Sequence, residues 1–338
     1  MSNPELRVGL VGAGLMGSDH AARIHRRISG ASLIAVGDPD LERAESAAAG
    51  IEGCRVETDP LKVIEASDVD AVVLATPGRT HEPLLLAAIE RGIPVLCEKP
   101  LTPDSKSSLR VVEAEVAAGS RLVQVGFMRR FDPEYAELKR TLDAGELGRP
   151  LLMHCAHRNA SAPPGFTSQM MIFDSVVHEF DTTRWLLGEE ITAVSVRHPR
   201  STANAPSGMI DPQLVTIETA SGVLVTVEIF VNCGFGYQVR CEAVCEGGTA
   251  QVGGDSGMTT HVRGAWGGSI TPDFRPRFQQ AFDEELQRWA DAARDGGIDG
   301  ASAWDGYAAA AACEAGVAAQ TSGARTTVQL VERPGLYS

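Results

Sequence analysis

The chain has 338 residues, roughly two domains at about 150 residues each. Apolar residues make up 43% and charged residues 22%, an ordinary globular mix that excludes wholesale disorder. Its 44 acidic and 30 basic side chains leave a formal net charge of −14, which argues against a general binder of nucleic acid or of anionic membranes.

Met1–Leu6 has no basic region leading into an apolar core, so no secretory signal is read. No apolar run approaches the ~20 residues that a bilayer span needs. The seven cysteines are scattered and contain no Cys-x-x-Cys. Cys241 and Cys245, the nearest two, would stand roughly 13 Å apart on a strand, too far for a disulfide. Reduced thiols in a cytoplasmic protein are the expectation.

The first 125 residues alternate between strand and helix. Strands are expected at Arg7–Val11, Ser32–Val36, Asp70–Ala75, Pro94–Cys97 and Leu122–Val125. Helices are expected at Leu15–Ser29, Leu41–Ala49, Glu82–Arg91 and Leu101–Ala118, each followed by glycine. Strands that are apolar throughout are buried on both faces, as in a parallel sheet flanked by helices. The expected fold is therefore α/β, an N-terminal doubly wound Rossmann domain over 1–125. Beyond it the rhythm changes. Asp132 caps a helix that starts at Pro133 and ends near Gly145. A strand at Leu151–Arg158 and a helix at Asp174–Leu187 follow. Strands without intervening helices come next, at Ile191–Arg197, Gln213–Thr219, Val223–Val231, Gln238–Cys245 and Thr249–Val252. Helices near Arg277–Arg294 and Ala303–Thr321 and a strand at Thr327–Val331 close the chain. Residues 126–338 thus read as an α+β domain with a large, mainly antiparallel open sheet.

Gly12-Ala13-Gly14-Leu15-Met16-Gly17 fits Gly-x-Gly-x-x-Gly between an apolar strand and a helix. Gly12 permits the tight turn, Gly14 lets the backbone approach a pyrophosphate, and Gly17 lets helix and strand pack closely. The helix N-terminus offers N–H groups to the phosphates. Asp38, 21 residues beyond Gly17, suits a ribose and repels a 2′-phosphate, which favours NAD over NADP; it also reads as a turn residue before Pro39. Thr76 and His81 follow the Asp70–Ala75 strand at the edge where such sheets bind ligands, although His81 also reads as a helix-start residue.

Glu98-Lys99-Pro100 ends the Pro94–Cys97 strand at the same edge. An ammonium there is either solvated or placed to stabilise negative charge on a substrate oxygen. Asp174 and His178 share a helix face. They read as a surface ion pair, as a base with its orienting carboxylate, or, with His154 and Cys155, as metal ligands whose spacing matches no zinc signature. Cys155, His157 and Asn159 share one strand face and His154 and Arg158 the other. The face with His157 and Asn159 is either a polar strand end or a surface for a polyhydroxylated ligand. A zinc alcohol dehydrogenase is not the expectation, because its cofactor loop lies mid-chain and its metal lobe is cysteine-rich.

With these motifs the chain resembles the oxidoreductase family named for glucose–fructose oxidoreductase, inositol dehydrogenase and a rhizopine catabolism protein (Gfo/Idh/MocA). The marks are the glycine loop, Glu98-Lys99-Pro100, and Asp174-x-x-x-His178. Longer runs resemble its inositol-oxidising members over essentially the whole chain. These are Val123–Asp132, His154–Asn159, the stretch around Val231-Asn232-Cys233, and Ala303–Tyr307. The resemblance implies NAD as cofactor, an inositol oxidised to its 2-ketone, and a homotetramer formed sheet to sheet. It implies Lys99, Asp174 and His178 as the catalytic set, with His178 the base, and no metal. It implies Arg129, His157, Asn159 and Tyr237 as the inositol pocket. Gly12, Gly14, Met16, Gly17, Asp38, Thr76, His81 and Glu98 would hold NAD. The family leaves open another polyol or a pyranose as substrate, or NAD-retaining glycoside hydrolysis. Phe235 departs from an expected tyrosine, and Arg130 reads equally as a pocket residue or an ion-pair partner.

Overall fold

The computed structural model describes residues 5–254 and 259–338; Met1–Pro4, part of the stretch that carries no leader signal, lie outside them. The chain forms two compact units. The first is Met1–Met128 with Ala281–Ala310 and Val331–Ser338, and the second is Arg129–Gln280 with Ala311–Leu330.

The first unit opens with β1 (Leu6–Val11), α1 (Leu15–Arg26), β2 (Ala31–Gly37) and α2 (Leu41–Ala48). Then come β3 (Arg55–Glu57), α3 (Pro60–Glu65), β4 (Ala71–Leu74), α4 (His81–Arg91), β5 (Val95–Glu98), α5 (Ser105–Ala118) and β6 (Val123–Gly126). The strands run in the order β3-β2-β1-β4-β5-β6, all parallel. That is the doubly wound arrangement the sequence predicts, with its switch point between β1 and β4. Val8, Leu10, Val36, Val73 and Leu96 are buried, as strands covered on both faces require. The pair β3 and α3 is absent from the sequence reading. Yet α3 carries a start signal: Pro60 opens it and the Asp59 side chain accepts from the Leu61 N–H.

In the second unit α6 (Pro133–Asp143) starts as predicted, with the Asp132 carboxylate accepting from the N–H groups of Glu134 and Tyr135. After it come β7 (Pro150–Arg158), α7 (Val177–Leu187), β8 (Ile191–Arg197), β9 (Gln213–Thr219), β10 (Leu224–Phe230), β11 (Gln238–Cys245) and β12 (Gly248–Val252). A short hairpin of β13 (Thr260–Val262) and β14 (Ala265–Gly267) and the turn of helix α8 (Phe274–Arg277) complete this stretch. The large sheet is antiparallel except where β7 runs parallel to β10. One face is buried. The other carries Leu152, Leu214 and Leu224 beside the ion pair of Arg158 with Glu228. The helix expected over Asp174–Leu187 is not uniform: Met171–Val176 is wound as a π-helical turn and only Val177 onward is α-helical.

The last elements are α9 (Gln279–Ala293), β15 (Ala301–Ser302), α10 (Ala303–Ser322) and β16 (Thr326–Thr327). They correct the division at residue 126. Leu286, Trp289, Ala290 and Ala293 of α9 join the same core as Leu6, Ile24, Ile28 and Leu33 of the first unit. β15 pairs with β6 as a seventh, antiparallel strand. A helical apolar stripe states that a face is buried but not against which core, so 281–310 and 331–338 were assignable only from the fold. The final strand, expected over Thr327–Val331, is only Thr326–Thr327, paired with β8 at the edge of the large sheet.

Candidate active site

In the first unit the glycine loop joins β1 to α1. Gly12 has φ +95°, and a Cβ on it would lie 2.6 Å from the Ala75 carbonyl oxygen. A Cβ on Gly17 would lie 1.8 Å from the Gly12 oxygen, whereas one on Gly14 would meet nothing within 4 Å. The loop is therefore closed by protein at Gly12 and Gly17 and open at Gly14, where no side chain caps α1. This cradle fits a dinucleotide pyrophosphate at a helix N-terminus. Asp38 follows β2 and braces the loop, accepting from the Ala13 N–H at 2.7 Å and the Asp40 N–H at 2.9 Å. A carboxylate offers about four lone-pair sites, so ribose hydroxyls still find acceptors there. Met16 and Thr76 are half-buried at the first turn of α1 and beyond β4. Thr76 accepts from the Thr80 hydroxyl at 2.8 Å.

Two residues assigned to the cofactor turn inward instead. His81 is fully buried. Its Nε2 lies 2.7 Å from the Thr76 carbonyl, and its Nδ1 lies 3.0 and 3.1 Å from those of Pro100 and Leu101. Burial pushes its pKa down. The ring ties the loop after β4 to the loop that carries Lys99, and it offers no face to a ligand. Position at the sheet edge suggested a cofactor contact, but burial decides against it. Glu98 receives His20 of α1 at 2.7 Å on one oxygen and the Lys99 N–H at 3.2 Å on the other. Burial opposes its charge, yet the bond to His20 keeps its pKa below the usual carboxylate value. His81→Ala removes a buried donor from the carbonyls around it at about 1–3 kcal/mol, so the melting temperature should drop by several degrees. The same substitution should also lower kcat through the Lys99 loop. A variant with a wild-type melting curve and only a raised KM for NAD would return His81 to the cofactor.

In the second unit Asp174 lies in the π-helical turn and His178 one residue into α7, so they still share a face. Asp174 is half-buried and His178 is buried. His157 on β7, Arg129 in the turn before α6, and Tyr237 ahead of β11 form a buried cluster. Arg129 donates through Nη1 to Glu179 and through Nη2 to His157 Nδ1 at 3.1 Å. Burial opposes the Glu179 charge, but Arg129 and His157 outweigh it and hold the carboxyl down at about 2. Burial pushes the Tyr237 phenol up to about 12. Arg129 Nε of this cluster is buried without a partner, and so is Oδ1 of Asn159, two residues beyond His157 in the chain. A ligand bearing several hydroxyls can satisfy both a lone donor and a lone acceptor.

Other residues fall outside the cluster. Arg130 is an ion-pair partner, with its fork on both oxygens of the buried Asp181. Phe235 is half-exposed, edge-on to Phe230 and under the Arg158 guanidinium. His154, on the opposite strand face as the period of two requires, bonds the Thr226 hydroxyl at 2.9 Å. Among the described residues no group of three or more His, Cys, Asp or Glu side chains is placed to hold a metal ion. Glu179 is the functional candidate that sequence reasoning missed; next to His178 it reads as one more helix-surface acid.

Residues 6–127 match the family model described as oxidoreductase family, NAD-binding Rossmann fold, and residues 135–251 match the GFO/IDH/MocA C-terminal domain. A Saccharopolyspora erythraea protein named inositol 2-dehydrogenase 4 is 96% identical over 338 residues, covering all of both chains. An inositol 2-dehydrogenase of Streptomyces avermitilis is 55% identical over 332 residues, 98% of this chain and 97% of the relative. The crystal structure of myo-inositol dehydrogenase from Lactobacillus casei, in complex with NAD(H) and myo-inositol, is similar with a TM-score of 0.96. That comparison has 31% identity and covers 99% of this chain and 100% of the other.

Proposed function

Because the chain belongs to the Gfo/Idh/MocA oxidoreductase family, we propose that it oxidises myo-inositol, or a close isomer, to the 2-keto inositol. It is an NAD-dependent oxidoreductase, and bound NAD supplies the acceptor for the hydride that leaves the carbinol carbon. His178 takes the hydroxyl proton. Asp174 orients the imidazole and favours its protonated form, and the Lys99 ammonium stabilises the oxygen as negative charge develops. Arg129, His157, Asn159 and Tyr237 hold the remaining hydroxyls. Gly12, Gly14, Met16 and Gly17 hold the pyrophosphate, and Asp38 and Thr76 contact the rest of the dinucleotide. The observation that carries the substrate class is the buried polar cluster around His157. Its unfilled donor at Arg129 and acceptor at Asn159 suit a neutral polyol, a ligand to which the surface charge of −14 is indifferent.

The exposed leucines of the large sheet support a homotetramer formed through that face. All seven cysteines are free thiols, which fits a cytoplasmic protein. Among the described residues no helix is long and apolar enough to cross a membrane.

The test is NADH absorbance on mixing the protein and NAD with a panel of inositol isomers and common sugars. Myo-inositol should give the signal. A signal confined to pyranoses would move the substrate to the sugars. Cofactor retained through purification with no net NADH on any polyol would point to glycoside hydrolysis and end the dehydrogenase reading.

A further inference from the structure

Glu179 immediately follows His178 on α7, about 100° further round the helix, so the two side chains diverge. Its carboxylate is only 1% exposed. It pairs with Arg129 of the turn Met128–Phe131 and lies 3.2 and 3.3 Å through its two oxygens from His157 Nδ1 on β7. One acid thus joins three separate elements. The ring of His157 is further set edge-on to Tyr237 at 6.0 Å, and Tyr237 edge-on to Phe278 at 6.3 Å. Arg129 lies over the same Phe278 ring at 5.9 Å. Three of the four residues assigned to the polyol pocket are therefore linked in one contact network, and the counter-charge of that network is Glu179.

We propose that Glu179 is a positioning residue for substrate recognition: its buried carboxylate fixes the Arg129 guanidinium and the His157 ring in the orientation that receives a polyol. The inference rests on the polyol-oxidising reading above. Glu179 touches no reacting atom. A buried cation whose counter-charge is removed can turn, and the His157 ring that its Nη2 contacts loses that constraint with it. A displacement of about 1 Å in a positioning group is enough to weaken productive binding strongly.

Two variants test it. Glu179→Gln keeps the shape and removes the charge, and Glu179→Asp keeps the charge and shortens its reach by one methylene. Charge-assisted hydrogen bonds of this kind correspond to about ten- to a hundredfold in affinity, so KM for the polyol should rise at least tenfold in Glu179→Gln. Glu179→Asp should show a smaller rise. In both, kcat should stay within about threefold and the NAD dissociation constant within about twofold, the pattern of lost uniform binding. A folded variant with the wild-type KM overturns the proposal. So does a parallel decline of kcat, NAD affinity and melting temperature, or failure of both variants to fold, since each marks the pair as a requirement of the fold alone. The polyol is the one that wild-type protein oxidises in the panel. Wild-type protein inactive on every polyol overturns the functional reading and this inference with it, whereas active wild type with unshifted variants overturns Glu179 alone.

Discussion

Replacing His178 with alanine should lower kcat by about a thousandfold while NAD affinity stays at the wild-type level. His178 sits one residue into α7, and alanine is the best helix former, so the substitution keeps the local backbone. The cost of the emptied ring volume falls on stability and is read separately from the melting curve. The glycine loop and Asp38 belong to the first unit and His178 to the second, so cofactor affinity is expected to hold. What is lost is the group proposed to take the hydroxyl proton. General base catalysis is typically worth about 10²–10⁴ in rate, and a thousandfold loss corresponds to about 4 kcal/mol of barrier. Steady-state kinetics, with NAD binding followed by fluorescence, give both readings. A variant within tenfold of wild type would take the proton-accepting role away from His178.

The cofactor fold was legible because its signals are local. An apolar strand, three glycines and a helix start lie within 12 residues, Leu6–Gly17, and each has one backbone consequence. Asp132–Pro133 was legible for the same reason. Asp59–Pro60 carries the same signal and opens α3, but the three residues of β3 before it are too short and mixed to show a strand period. The residues of the candidate site were legible only in part. His157 and Asn159 follow from strand alternation. The π-helical turn at Met171–Val176 has no composition that announces it. Glu179 and Arg129 stand 50 positions apart, and no spacing rule joins a turn to a helix over that distance. His81 shows the opposite failure. Its place at the ligand-binding edge was read correctly, and its direction was not, because burial is set by loops 19 and 20 residues further on.

The two glycines of the cofactor loop that look alike in the motif should fail differently as alanines. Gly14 has φ −72° and ψ −162°, extended backbone that alanine adopts freely, and open space beyond its Cβ position. Gly14→Ala should therefore melt within about 1 °C of wild type, as surface substitutions without strain do. The methyl group nonetheless stands where the pyrophosphate must approach the backbone, so the NAD dissociation constant should rise about tenfold or more. At Gly17 the same methyl is driven 1.8 Å from the Gly12 oxygen, closer than any packed contact allows. That oxygen is main chain, held in a loop whose own Gly12 is pressed against Ala75, and it has no rotamer to yield by. Overpacking of this kind costs about 1–3 kcal/mol or more, so Gly17→Ala should lose several degrees of melting temperature together with NAD binding. Thermal melts with and without NAD separate the cases. The first variant keeps its apo melting curve and loses the shift that the cofactor produces, and the second loses both. If Gly14→Ala bound NAD as tightly as wild type, the pyrophosphate would not lie against this loop, and Asp38 would lose its place in the cofactor site with it.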